Sequence, residues 1–259
     1  MKNNSELIHD VQKEKPQKKL ADRIVLFIIF FIISASIITI TIICSTYERD
    51  KKKNEIIKQD VLQYEDAQKE FSVDFDYLKG INTDVVAWIR FDNPAIISYP
   101  VLRGINNSQY LHHDLNKNYN VNGSIFEDMN NASDFTDLNT IVYGHNMLDG
   151  SMFGSLQQYK DPSFWEDNQY FYIYTPDKIK HTYHIYAAYI VSPNSDIYTY
   201  KFGNDQLYQD YLNKYDKKKL YETNLKATTS DHIITLSTCT FHGKKRMVLQ
   251  AIETEKKQL

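Results

Sequence analysis

Cysteine, glycine and proline are all scarce in this sequence. Its 259 residues include two cysteines, Cys44 and Cys239, with eight glycines and six prolines. Two distant cysteines, and histidines without HxxxH spacing, provide no metal-ligand set. The chain also has no glycine-rich phosphate loop and no GxSxG motif. We therefore expect no metal and no cofactor.

Excess charge of either sign is also absent. The formal net charge is −3 and the isoelectric point is near 6.2, without a long acidic or basic block. Nucleic acid is therefore not an expected partner, since proteins that bind it carry a basic footprint. The composition is 42% hydrophobic and includes 20 tyrosines, which favours a folded domain with half-buried sheet faces.

The amino-terminal part of the chain is predicted to be a membrane anchor. Residues 24–44 form 21 uncharged, mostly apolar positions, enough for one helix to cross a bilayer. We expect residues 1–23 to be a cytoplasmic tail, residues 45–70 a stalk helix and residues 71–259 an extracellular domain. The basic residues on the two sides of the apolar segment nearly balance, so this orientation rests on the tail being short.

Short β-like runs dominate the chain after residue 71. Eight are recognised by alternating or continuous apolar residues between turn signals: 84–91, 96–102, 123–126, 139–144, 170–174, 181–191, 233–239 and 246–253. Three helical interruptions are predicted: Ser108–His113, Met152–Tyr159 and Asn204–Tyr215. Many strands with few long helices favour a closed or nearly closed β-barrel with helices on its outside.

Cys239 stands at the end of a predicted strand and has no second cysteine within the outer domain. It is either a small apolar residue of the core or a nucleophile. A nucleophilic thiol needs a base, and His145 follows a strand and a glycine, where catalytic groups are often presented. Four other histidines fit surface or core positions better than a catalytic role: His112, His113, His181 and His184. His232 and His242 lie close to Cys239 in the sequence, so spacing does not exclude either as the base.

Arg246 begins the predicted strand after Cys239. If the two strands are antiparallel neighbours, the guanidinium lies beside the thiol and can stabilise an oxyanion. The alternative is a solvated basic turn formed by Lys244, Lys245 and Arg246.

Several motifs occur together in the outer domain. They are Thr235–Cys239 followed by Arg246, Asn139–Asn146, Gly123–Phe126, Trp88-Ile89, Tyr99-Pro100-Val101 and Met152-Phe153. In these motifs and their order, the chain from about residue 71 resembles the sortases, membrane-anchored cysteine transpeptidases of Gram-positive bacteria, and class B in particular.

The resemblance implies a mainly β fold: an eight-stranded barrel with an amino-terminal helical extension and a helix inserted between the sixth and seventh strands. It implies Cys239 as nucleophile, His145 as general acid/base and Arg246 as oxyanion and substrate stabiliser. Such enzymes cleave a sorting motif, in class B of the general form Asn-Pro-x-Thr-x, after its threonine. An amine of a cell-wall precursor then resolves the thioacyl intermediate and attaches the surface protein to peptidoglycan.

The resemblance also implies residues that bind the peptide. These are Asn107, Leu111, Ile197, Tyr198 and Ser237. Two departures from the class concern the oxyanion site: the loop before Arg246 is short, and Thr240 stands where an acidic residue is common. Lys245 is therefore kept as an alternative carrier of the arginine role.

Two other functions remain open from the sequence. A membrane-tethered cysteine peptidase would use the same residues but let water resolve the thioester. A non-catalytic adhesin on a stalk would use Cys239 only for packing, and its thiol would be inert.

Overall fold

The computed structural model describes residues 15–61, 71–95, 97–240 and 243–259. The predictions for residues 1–14 and 62–70, and those that concern Ile96 and His242, lie outside this part of the chain. The described chain divides into two compact units, Met1–Ile57 and Lys58–Leu259. Each is considered by itself.

The described residues of the amino-terminal unit form a helix. Helix α1, Lys15–Val61, runs without interruption through the predicted membrane segment and into the predicted stalk. By length and composition its Asp22–Asp60 part can cross a membrane. The hydroxyls of Ser34 and Thr39 donate to backbone carbonyls four residues earlier, at 2.7 and 2.9 Å. Inside a bilayer, such internal bonds would satisfy polar groups that have no water to bind.

The second unit is a closed barrel of eight strands, which confirms the predicted fold class. The strands are β1 Val85–Phe91, β2 Ser98–Leu102, β3 Ile125–Glu127, β4 Asn139–Tyr143, β5 Tyr170–Tyr174, β6 Ile179–Val191, β7 Ile233–Cys239 and β8 Arg246–Gln258. Their order around the barrel is β1-β2-β3-β4-β7-β8-β6-β5. Pairs β2–β3 and β4–β7 are parallel, and the other neighbours are antiparallel.

Apolar side chains fill the barrel and also cover part of its outer surface. The interior cluster includes Ile89, Val142 and Leu236, all fully buried. On the outside, helix α4 (Asp205–Asp216) packs four residues against β6, β7 and β8: Tyr208, Tyr211, Leu212 and Tyr215. This helix is the one inserted between the sixth and seventh strands, as predicted.

Some local predictions differ from the structure. The predicted helix Ser108–His113 is absent. Residues 108–111 form turns, because the Asn106 side chain accepts hydrogen bonds from Ser108 N and Gln109 N, both at 2.9 Å. His113 forms an isolated β-bridge with Tyr119. The helix predicted at 152–159 is a 3-10 helix, Gly154–Lys160. Two short helices were missed, α2 Phe75–Ile81 and α3 Pro162–Asp167, each capped by the aspartate before it.

Candidate active site

His145 follows β4, and Cys239 is the last residue of β7, the neighbouring parallel strand. In the β4–β7 ladder Tyr143 pairs with Ser237, and Gly144 N donates to Ser237 O at 3.1 Å. His145 and Cys239 each come two residues after this pair. Since parallel strands end on the same side of a sheet, both side chains reach one end of the barrel. Both line a cavity of about 280 Å³, which we name the thiol cavity.

Arg246 is the direct antiparallel partner of Cys239 in the β7–β8 ladder. It lines the thiol cavity, and its Nη1 donates to Gly243 O at 3.0 Å and Lys245 O at 3.2 Å. These bonds fix the guanidinium next to the strand end. The side chain of Lys245 is exposed and is not among the residues that line the cavity. The arrangement therefore favours Arg246 over Lys245 as the residue that stabilises an oxyanion.

The imidazole of His145 is oriented by a backbone carbonyl. Its Nε2 lies 2.7 Å from Leu111 O. Because a carbonyl oxygen can only accept, Nε2 carries the proton of this bond. Nδ1 is therefore the nitrogen left to exchange a proton with a thiol or a leaving amine.

Two glycines allow this arrangement. Gly144 precedes His145, and a Cβ there would lie 2.5 Å from Ile125 Cδ1. Gly123 has a φ of +55°, and a Cβ on it would lie 2.5 Å from Leu111 O, the oxygen that holds His145. Both positions exclude a larger residue, since such contacts are far inside van der Waals distance.

The structure brings most of the predicted peptide-binding residues together. Asn107, Leu111, Tyr198 and Ser237 line the thiol cavity beside the catalytic candidates. Ile197 does not: its side chain is fully buried in the cluster under α4, because it faces inward from a short 3-10 helix, Asp196–Tyr198. Sequence reasoning missed five other lining residues: Phe126, Tyr143, Gly144, Pro193 and Thr238.

The two tyrosines of the cavity remain neutral phenols. Burial raises the pKa of Tyr143, and the neighbouring carboxylate of Asp128 raises it further. Burial also raises the pKa of Tyr198, although its hydrogen bond with Ser237 acts in the opposite direction. Both hydroxyls are therefore available as hydrogen-bond groups across the physiological pH range.

The other described histidines lie elsewhere. The nearest is His112, whose ring centroid is 6.0 Å from that of His145. His181 is buried and pairs with Glu253, its Nδ1 2.5 Å from a carboxylate oxygen. His184 contacts Gln169. Among the described histidines His145 is therefore the one that shares a cavity with Cys239.

A larger cavity, of about 360 Å³, lies between the start of α2 and the end of β8. Its lining includes Asp74, Tyr174, Thr175 and Leu259, with no histidine or cysteine among the described residues. Size alone therefore does not identify the reactive site, and the thiol cavity remains the candidate.

Comparisons with known proteins indicate the family of this chain. The Sortase domain family model matches residues 93–254. Sortase B of Listeria monocytogenes is 37% identical over 176 residues, which cover 67% of this chain and 71% of that protein.

Two solved structures are similar at the level of the whole domain. One is a Staphylococcus aureus sortase B–substrate complex, 33% identical, with a TM-score of 0.66 over 70% of this chain and 84% of that one. The other is a sortase B complexed with triglycine, 33% identical, with a TM-score of 0.66 over 70% and 85% of the two chains. Taken with the closed barrel and the arrangement at its strand ends, these matches show that the chain belongs to the sortase family, in class B.

Proposed function

We propose that this sortase is a transpeptidase that cleaves a sorting motif in secreted proteins after its threonine and transfers them to an amine of the cell wall. The observation that carries the proposal is the convergence of Cys239, His145 and Arg246 on the thiol cavity. Nucleophile, proton carrier and oxyanion donor are the three parts that acyl transfer requires.

In the first half of the reaction, the proton of the Cys239 thiol passes to Nδ1 of His145, and the sulfur attacks the carbonyl carbon of the threonine residue. The carbon–nitrogen bond of the scissile peptide then breaks, and a thioester to Cys239 forms. His145 gives a proton from Nδ1 to the leaving amine, which departs with the carboxyl-terminal fragment. Arg246 stabilises the negative charge that develops on the carbonyl oxygen.

In the second half, an amine attacks the thioester. His145 takes the proton that the amine loses and returns it to the Cys239 sulfur as the carbon–sulfur bond breaks and a new amide forms. No oxidant, metal or external energy source is needed, because one peptide bond replaces another through a thioester. We propose as partners a sorting-motif-bearing surface protein and a lipid-linked peptidoglycan precursor. The proposal is supported by the two similar sortase B structures, one of which is a complex with a substrate and the other a complex with triglycine.

We further propose that α1 anchors the enzyme in the cell membrane with one span, its amino terminus cytoplasmic and its catalytic domain extracellular. Asp22–Asp60 is long and apolar enough for this. Treating intact cells with a protease tests the orientation. An antibody to the barrel should lose its epitope, whereas an epitope tag at the amino terminus should survive until the cells are lysed.

Mass spectrometry of the full chain in detergent tests the reaction. The Cys44→Ser variant would be used throughout, because Cys239 is then the one thiol of the chain. We would add a library of threonine-containing peptides, with and without diaminopimelate or oligoglycine, next to Cys239→Ala in the same background. We expect a thioacyl adduct on Cys239, an amine-linked product and complete loss of both in Cys239→Ala.

The same experiment separates the other two functions. Cleavage that incorporates water and never the added amine would indicate a peptidase. An absence of adducts with every peptide, with equal behaviour of the two variants, would leave the thiol as a packing residue and overturn the proposal.

A further inference from the structure

Asp128 does not line the thiol cavity, but it contacts two residues that do. It directly follows β3, and its backbone nitrogen donates to Ile141 O at 2.9 Å, which fixes its main chain against β4. The residue is buried, with 6% of its surface exposed. An acidic residue at this depth requires hydrogen-bond donors around its carboxylate.

Each carboxylate oxygen of Asp128 accepts two hydrogen bonds. Oδ2 accepts from Asn107 Nδ2 at 2.8 Å and from the Tyr143 hydroxyl at 2.9 Å. Oδ1 accepts from the backbone nitrogen of Asn130 at 2.9 Å and from its Nδ2 at 2.8 Å. The carboxylate is thus held by four donors, and charge-assisted bonds of this kind are stronger than neutral ones.

These bonds set the hydrogen-bonding polarity of the cavity. The Tyr143 hydroxyl donates its proton to Asp128, so its oxygen can only accept from a bound molecule. Asn107 is fixed at both ends, because its Oδ1 accepts from Met129 N at 2.8 Å. One of the two Nδ2 hydrogens goes to Asp128, and the second is left to donate. A phenol acceptor and an amide donor match the N–H and C=O groups of a peptide backbone.

We propose that Asp128 is a positioning residue that presents Asn107 as a donor and Tyr143 as an acceptor to the peptide in the thiol cavity. The inference deepens the proposed transpeptidase function and rests on it. Asp128 touches neither the substrate nor the reacting atoms. Its effect is on how tightly and in which register the peptide is held.

An asparagine at position 128 separates this role from simple packing. The amide has the shape of the carboxylate but one acceptor and one donor group. Each oxygen of Asp128 faces two donors, so either orientation of the amide places its NH₂ against donors. If the NH₂ faces Tyr143, the hydroxyl turns to accept, and its proton points away from residue 128. Asp128→Asn therefore reverses the polarity of the cavity if its NH₂ faces Tyr143, and loses the two bonds from Asn130 that hold residue 128 if its NH₂ faces Asn130. The volume of the side chain is almost constant in both cases.

The experiment measures kcat/KM with an internally quenched peptide of the form Asn-Pro-x-Thr-x, chosen as a substrate of the wild-type chain. We expect Asp128→Asn to lose about tenfold in kcat/KM, mainly through KM. Alkylation of Cys239 by iodoacetamide in the Cys44→Ser background should be unchanged, since it does not use the peptide-binding residues. The loss should be non-additive with Tyr143→Phe, because the two variants disrupt the same bond.

Asp134→Asn is the matched control. It neutralises another carboxylate in the same loop, whose bonds go to Thr136, and kcat/KM should stay within about twofold of wild type. If Asp128→Asn does not fold, Asn130→Ala replaces it. That exposed residue supplies one side-chain bond to Asp128, and its loss should lower kcat/KM by about two- to threefold.

The outcomes distinguish the two proposals. An inactive wild-type chain overturns the transpeptidase function and this inference with it. An active wild type with unchanged kcat/KM in Asp128→Asn overturns the inference alone, as do equal losses in peptide turnover and alkylation, which would indicate general disruption. If Asp128→Asn does not fold and Asn130→Ala replaces it, an unchanged kcat/KM in Asn130→Ala overturns the inference.

Discussion

The residues on two parts of the thiol cavity are held in place by different chemistry. The loop-side residues, Asn107 and Tyr143, depend on a carboxylate, because both donate to Asp128. The helix-side residue Tyr198 is carried by the 3-10 helix Asp196–Tyr198. Buried neutral amides and hydroxyls attach this helix to the barrel, while its exposed Asp196 carboxylate contacts Lys214 and Tyr215 of α4. One part is therefore organised around a charge and the other around a buried neutral network.

The neutral network is centred on Asn139, which is fully buried. Its Nδ2 donates to Thr199 O at 2.8 Å and Ile197 O at 3.2 Å, and its Oδ1 accepts from the Thr235 hydroxyl at 2.7 Å. The Tyr211 hydroxyl of α4 also donates to Ile197 O, at 2.8 Å. These hydrogen bonds join strands β4 and β7, helix α4 and the 3-10 helix within the buried part of the domain.

This difference predicts how each part of the cavity should respond to substitutions and to pH. A charged centre responds to the polarity of its neighbours and, through nearby acids, to pH. In a buried neutral network the loss of one member leaves several partners unsatisfied in a medium where that is costly. Substitutions should therefore affect specificity on the loop side and stability on the helix side.

The largest effect on stability is expected from Asn139→Ala. The change leaves the Thr235 hydroxyl without its acceptor and removes one donor from the buried carbonyl of Ile197 and one from the partly buried carbonyl of Thr199. We expect a loss of about 2–4 kcal/mol in the free energy of unfolding, together with reduced peptide turnover as Tyr198 loses its support. Urea unfolding and kcat/KM of the full chain in detergent would measure both.

Asn213→Ala is the control for that substitution. Asn213 lies on the exposed face of α4, where its side chain contacts Gln209, and it should change the free energy of unfolding by less than about 0.5 kcal/mol. Equal stability of Asn139→Ala and wild type would contradict the view that this network holds the helix side.

A smaller and pH-dependent effect is expected on the loop side from Glu127. This residue precedes Asp128, and its buried side chain accepts no hydrogen bond from the described residues. Burial raises the pKa of Glu127 to about 8, although the Arg103 guanidinium, with Nε 3.6 Å from Oε2, lowers it. In the unfolded chain the same carboxyl titrates near 4.5.

The sign of the pH effect follows from these two pKa values. Between about pH 5 and 8 the native state keeps a proton that the unfolded state has released, so stability falls as pH rises, by at most ~1.4 kcal/mol per pH unit. Glu127→Gln does not titrate and should flatten the curve in this window. Urea unfolding at about pH 5.5, 6.5 and 7.5 would test this, and parallel curves for the variant and wild type would refute it.

Much of the barrel and the reactive centre could be predicted from the sequence, because the signals are local. Strand patterns located the eight strands, and the hairpin from Cys239 to Arg246 needs only one short loop. His145 follows its strand directly, so placing it at a strand end required no long-range information. The pairing of Cys239 with Arg246 confirms the antiparallel neighbourhood that the sequence analysis assumed.

The residues that position the site could not be found in this way. The contact between His145 and Leu111 O, and those of Asp128 with Asn107 and Tyr143, join parts of the chain that are 15 to 34 residues apart. In the sequence Asp128 looks like an ordinary polar residue after a strand. Gly123 was a usable signal, since a glycine before an apolar strand suggests close backbone approach.

The smallest effect is expected from Tyr198→Phe, which tests whether the helix side contributes to the reaction directly. The Tyr198 hydroxyl shares a hydrogen bond of 2.9 Å with Ser237 Oγ, and Ser237 lies two residues before Cys239. Removing one such bond should lower kcat/KM about two- to fivefold, equivalent to ~0.5–1 kcal/mol. Because burial raises the pKa of Tyr198, the phenol stays neutral, and the loss should be the same at about pH 6 and pH 8. Ser237→Ala is the matched variant: it should produce a similar loss, and the double variant should lose little more. Additive losses would mean that the two hydroxyls act independently, and the helix side would then serve the reaction through something other than this bond.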